Sequence, residues 1–120
     1  MDRKSLGSWG EDKAANYLRR RGYKILERNF SCRFGEIDII ASRGGYLVFV
    51  EVKLRKDAAF AQAREFVDTG KQRRIITAAE LWLSCRDTDL QPRFDVIELY
   101  APEGEKSRRI EINHIEDAFQ

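Results

Sequence analysis

A chain of 120 residues, 42% hydrophobic and 35% charged, is sized and composed for one globular domain with one core, residues 1–120, and excludes disordered and bilayer-embedded classes. Its net charge of +2, from 22 basic and 20 acidic residues, argues only weakly for a nucleic-acid partner. One histidine, His114, and two distant cysteines, Cys32 and Cys85, exclude a histidine-rich metal site, an HExxH helix and a paired-cysteine zinc or redox motif, so both thiols are expected to be reduced. There is no GxGxxG or GxxxxGK[ST] loop, and no apolar run approaches the roughly 20 residues that span a bilayer. The start lacks the apolar stretch of a signal peptide, so a cytoplasmic location without membrane attachment is expected.

Leu6 to Arg21 is predicted helical. Leu6, Gly10, Ala14 and Leu18 recur every four residues, Tyr17 widens the stripe, and Gly22 stands where a C-terminal stop belongs. Small Gly10 and Ala14 would let this helix approach a sheet closely. A first strand fits Tyr23 to Asn29, and "GEIDIIASRGGYLVFVEVKLRK", Gly35 to Lys56, reads as two strands joined at Gly44 and Gly45. From Arg55 to Thr69 the pattern lapses, which predicts a loop with one helical turn. Asp68 or Thr69 then caps a second helix, whose buried stripe runs through Ile75, Ala78, Ala79, Trp82 and Leu83. "RFDVIELYA" and "SRRIEINHI", 93–101 and 107–115, are the last two strands, separated by the turn-rich "PEGEK". The order is that of an α/β domain with a mixed five-stranded sheet flanked by helices.

The hairpin holds the chemistry. Alternation places Glu36, Asp38 and Ile40 on one face of its first strand, with Ile37, Ile39 and Ala41 on the other; Leu47, Phe49, Glu51, Lys53 and Arg55 share a face of the second. A two-residue turn at Gly44 and Gly45 would set Asp38 opposite Glu51 and Glu36 opposite Lys53. Facing carboxylates, with Cβ atoms about 5 Å apart, destabilise a sheet unless a cation neutralises them. Mg²⁺ takes oxygen ligands, needs only one or two protein carboxylates and keeps waters, which leaves room for phosphate oxygens. Lys53 could contact that phosphate or steady an attacking water. The plainer reading is a solvated sheet face with a Glu36–Lys53 ion pair. Basic clusters at 19–21, at Arg55 and Lys56, at Lys71, Arg73 and Arg74, and at Arg108 and Arg109 are either solvated faces or phosphate-facing patches.

Asp38, twelve intervening residues, then Glu51, Val52 and Lys53 resembles the core signature of the PD-(D/E)XK nuclease superfamily, with its restriction-endonuclease-like fold. "GSWGEDKAANYLRRRGYKILERNF", "GEIDIIA", "LVFVEVKLRK", "VDTGKQRRIITAAELWL" and "RFDVIEL" follow in the order and spacing of the bacterial YraN family, which resembles Holliday junction resolvases. The resemblance covers nearly the whole chain. It implies that Glu11 joins Asp38 and Glu51 around one or two Mg²⁺ or Mn²⁺ ions, that Lys53 is the catalytic lysine, and that Lys71 and Gln72, in the first turn of the second helix, lie near the site. Arg55 and Arg74 are further candidates for nucleic-acid contact, and the backbone N–H groups of Lys71 and Gln72 would favour a phosphate. Ile37 stands where the superfamily name places proline.

The expected activity is therefore metal-dependent hydrolysis of DNA, branched or otherwise structured. The alternatives are a nuclease-derived DNA-binding module without cleavage, which makes no demand on the carboxylates, and an interaction protein with no nucleic-acid role. A homodimer would suit two-strand cleavage, with Trp9, Phe60, Phe66 or Trp82 as apolar contacts; Trp82 is assigned to the core.

Overall fold

The computed structural model describes residues 3–56 and 68–120. The elements are α1 (Arg3–Arg20), β1 (Lys24–Cys32), β2 (Gly35–Arg43), β3 (Tyr46–Arg55), α2 (Thr69–Ser84), β4 (Gln91–Tyr100) and β5 (Glu111–Phe119), with one 3₁₀ turn at Gly104–Lys106. The strands form one sheet in chain order, antiparallel throughout except between β3 and β4. A parallel pair cannot be joined by a tight turn, and α2 lies within the crossover that it requires. The fold is α/β, a five-stranded mixed sheet with two helices. Most of the loop expected after Arg55 lies outside the described residues, as do Phe60 and Phe66.

Each face of the sheet carries its own apolar layer. On one, Ile37, Ile40, Leu47, Phe49 and Val96 pack against Ile75, Ala78, Ala79 and Trp82 of α2; on the other, Ile39, Ala41, Val48, Val50, Ile97 and Leu99 pack against Ala14, Ala15 and Leu18 of α1. The central strands are thus buried on both sides, which accounts for the apolar run Leu47–Val50 in β3 and for the mostly apolar β4, interrupted by Asp95 and Glu98. Gly10 is buried, and a Cβ there would stand 3.6 Å from Leu99 Cδ1, so helix and sheet approach as closely as the small residues predict. Trp82 is 5% exposed, meets Phe49 edge-on, and donates its indole N–H to Glu27 at 2.8 Å. No described helix is long and apolar enough to cross a membrane.

Several boundaries differ from the sequence expectation. Helix α1 begins at Arg3 instead of Leu6, and β1 continues to Cys32 past an irregularity at Asn29, which adopts φ +56°, a conformation that asparagine tolerates. Strand β5 spans Glu111–Phe119, four residues later than 107–115. Its partner β4 ends at Tyr100, which pairs with Glu111. Residues 107–110 therefore precede the ladder, and Ser107 Oγ instead accepts the Glu103 N–H at 2.9 Å to close the turn. The β2–β3 hairpin follows the expected register, from Arg43–Tyr46 to Ile39–Val50, and positive φ is needed only at Gly44, the first turn position.

Candidate active site

The β2–β3 ladder stops at Ile39–Val50, one pair short of Asp38 and Glu51. Beyond it β2 loses strict alternation: Ile37 packs on the α2 side while Ile39 packs on the α1 side, so these residues do not share a face. Glu36 is aligned with Ser31 of β1, and the β2–β3 ladder ends before it could pair with Lys53. Asp38 supplies the physical reason. Its Oδ2 accepts the Val52 N–H at 2.8 Å, replacing a backbone carbonyl as the partner of β3, so a side chain bridges the strands where the ladder has let go. The opening becomes a cleft of about 800 Å³, lined among others by Gly10, Glu11, Glu36, Asp38, Glu51, Lys53 and Lys71.

Glu51 is only 5% exposed. Its Oε1 lies 2.7 Å from Lys71 Nζ and 3.7 Å from Lys53 Nζ. Burial, then the neighbouring Glu51 charge, pushes Asp38 up to about 7, although the Val52 hydrogen bond pulls the other way. Burial also raises Glu11, partly offset by a hydrogen bond from Asn29 and by the Arg28 guanidinium, which lies 3.8 Å from Glu11 and 2.8 Å from Asp12. Lys53 is pulled below the usual lysine range by burial and by Lys71 beside it. For Lys71 burial acts in the same sense, but the Glu51 hydrogen bond and charge outweigh it and the net shift is upward.

Glu11, Asp38, Glu51, Lys53 and Lys71 are therefore gathered in one cleft by α1, β2, β3 and α2. The remaining candidates stand elsewhere. Arg55 donates its Nε to Glu98 at 3.3 Å, and Glu98, 1% exposed, also receives the Tyr100 hydroxyl at 3.1 Å and Asn113 Nδ2 at 3.0 Å; Arg55 is anchored within the fold. Arg74 is exposed and packs beside Gly35, and Gln72 is half-buried next to Lys71. The backbone N–H groups of Lys71 and Gln72 do not await a phosphate, because Asp68 takes both, through Oδ1 at 2.8 Å and its carbonyl at 2.9 Å.

Two buried carboxylates escaped sequence reasoning, Glu98 and Asp95. Asp95, 0% exposed, accepts two hydrogen bonds from Arg93 at 2.9 Å, lies 2.7 Å from His114 Nε2 and accepts the Asp117 N–H at 3.0 Å. Arg93 donates onward to Tyr23, and the Tyr17 hydroxyl lies 3.2 Å from His114 Nδ1. Acidic residues inside the apolar run "RFDVIEL" were the available signal, since carboxylates buried on a central strand require partners.

The cleft presents oxygen donors alone, from two adjacent carboxylates with Glu11 on the wall, which suits a hard divalent ion such as Mg²⁺ or Mn²⁺ that keeps part of its water. Among the described residues no three acidic, histidine or cysteine side chains are placed to hold a metal ion together. Glu11 thus stands outside the Asp38–Glu51 pair. In comparison with known proteins, the Uncharacterised protein family UPF0102 matches residues 10–99. A UPF0102 protein of Caldanaerobacter subterraneus subsp. tengcongensis is 45% identical over 120 residues, 99% of this chain and 98% of its own. One of Syntrophotalea carbinolica is 47% identical over 118 residues, 98% and 93% of the two chains, and one of Caldicellulosiruptor saccharolyticus is 41% identical over 120 residues, 99% and 100%.

Proposed function

The chain belongs to the UPF0102 family, and from that premise we propose that it is a Mg²⁺- or Mn²⁺-dependent endonuclease of the PD-(D/E)XK type, acting in the cytoplasm on branched or otherwise structured DNA. The observation that carries this reading is the meeting of Asp38, Glu51 and Lys53 where β2 parts from β3, with Asp38 fixed by the Val52 N–H. One or two ions held by Asp38 and Glu51, with Glu11 adjoining, would supply Lewis acidity and lower the pKa of a water.

The protein's own groups do the positioning. Lys53 Nζ, held beside Glu51 and drawn below its ordinary pKa, orients the attacking water and donates a hydrogen bond to a phosphate oxygen as negative charge builds there. The assay is cleavage of single-stranded, duplex, flap and four-way DNA with Mg²⁺ or Mn²⁺ by the protein and by Asp38→Asn. Complete loss in the variant is expected; retained cleavage would show the site to be misplaced.

A DNA-binding module without cleavage has one observation in its favour: two ammonium groups already crowd the Glu51 carboxylate. Metal titration separates the readings, since such a module gains no Mg²⁺-dependent DNA affinity through Asp38 and Glu51. Strong salt dependence of binding is common to both.

A further inference from the structure

We infer that Lys71 is a built-in counter-ion for Glu51, a resident cation that a divalent metal must displace, and that it thereby sets the metal concentration at which the cleft loads. The inference rests on the endonuclease reading and adds to it a residue that tunes metal uptake. Three features support it. Lys71 Nζ lies 2.7 Å from Glu51 Oε1, much closer than Lys53 Nζ at 3.7 Å. A divalent ion bound through that oxygen would sit at about 2 Å from it, so the two cations compete for one acceptor and repel each other.

The competitors are also mounted differently. Lys53 sits on a central strand two residues beyond Glu51, whereas Lys71 reaches across from α2 with a side chain 36% exposed. Its backbone is pinned, because Asp68 accepts the N–H groups of Lys71 and Gln72. The helix can therefore stay in place while a flexible four-carbon stem swings its charge out of the cleft.

The test is calorimetric titration of Mn²⁺ into the full chain without nucleic acid, for the natural sequence, Lys71→Met, Lys71→Arg and Asp38→Asn, with far-UV circular dichroism to establish that each is folded. Lys71→Met is expected to bind Mn²⁺ roughly fivefold more tightly, a change of the size of one partly exposed ion pair, while Lys71→Arg stays close to the natural protein and Asp38→Asn binds at least tenfold more weakly. Unchanged or weaker binding by Lys71→Met, with Asp38→Asn still impaired, overturns the counter-ion role and leaves the endonuclease reading standing. If Asp38→Asn binds Mn²⁺ as the natural protein does, the metal site itself is refuted and the counter-ion role falls with it.

Discussion

At Asp38 one carboxylate oxygen is committed to the Val52 N–H while the group as a whole feels burial and the Glu51 charge. Its folded pKa of about 7 lies above the ordinary value of 3.8. The native state therefore holds the proton more tightly than the unfolded chain does, and stability falls as pH rises from about 4 through 7. Asp38→Asn keeps an oxygen for Val52 and removes the charge. It should abolish that slope and stabilise the protein above pH 7 by an amount on the order of a few kcal/mol, read from urea melts at pH 5 and pH 8. A saturating divalent ion should stabilise the natural protein above pH 7 and leave the variant nearly unmoved. The glycine turn and alternation fix the β2–β3 register as far as Ile39–Val50 and so bring Asp38 and Glu51 near one another, but the parting of the strands beyond that pair, bridged by Asp38 to the Val52 N–H, was not readable from the pattern. Arg55 is held by Glu98 of β4, which pairs with β3 only after the long crossover; no local pattern announces that neighbour.

For the helices, spacing was a good guide to the buried face and a poorer one to the ends. The stripe through Ile75, Ala78, Ala79 and Trp82 is buried as expected, with Leu83 packed at its margin, and Asp68 is the cap. Asp68→Ala should cost about 1 kcal/mol in urea unfolding, because it strips a partner from the first turn of α2. Gly10 permits a second test. A methyl group there makes ordinary contact with Leu99 and Leu54, and alanine is the better helix former, so Gly10→Ala should raise the melting temperature by an amount equivalent to about 0.5–1 kcal/mol. Gly10→Leu should lower it by forcing α1 off the sheet and should carry Glu11 away from the cleft. The limits of β5 were unreadable for the opposite reason: "SRRIEINHI" alternates convincingly, but a strand begins only where its partner still runs, and β4 ends at Tyr100.

Across the whole molecule, the Asp95 cluster joins α1 through Tyr17, the entry to β1 through Tyr23, and strands β4 and β5 through Arg93, His114 and Asp117. Burial alone would raise Asp95, but the hydrogen bonds from His114 and Arg93 lower it overall. Its contribution is thus present above the unfolded carboxylate value near 4 and is lost as pH falls through the depressed native value. Asp95→Ala removes the buried carboxylate that Arg93 and His114 share and should cost about 3–5 kcal/mol in denaturant unfolding at pH 7; a loss below 1 kcal/mol would mean the cluster is incidental. The sequence showed one lone histidine but gave no hint of its partner, since β4 and β5 meet only in the assembled sheet. Of the aromatic residues named as dimer contacts, Trp82 is buried in the core, and Phe60 and Phe66 lie outside the described residues.

The turn at Gly44 has a reach out of proportion to its size. It lies six residues from Asp38, roughly 20 Å along the strand, yet together with the two apolar layers it sets which rung of β2 meets which rung of β3. An extra residue inserted there, unless absorbed by a longer loop, would slide one strand past the other by a single step, and a single step in a pleated ribbon turns every side chain to the reverse side. The acidic pair would be dismantled by an indel that touches neither member, with the composition of the cleft unchanged.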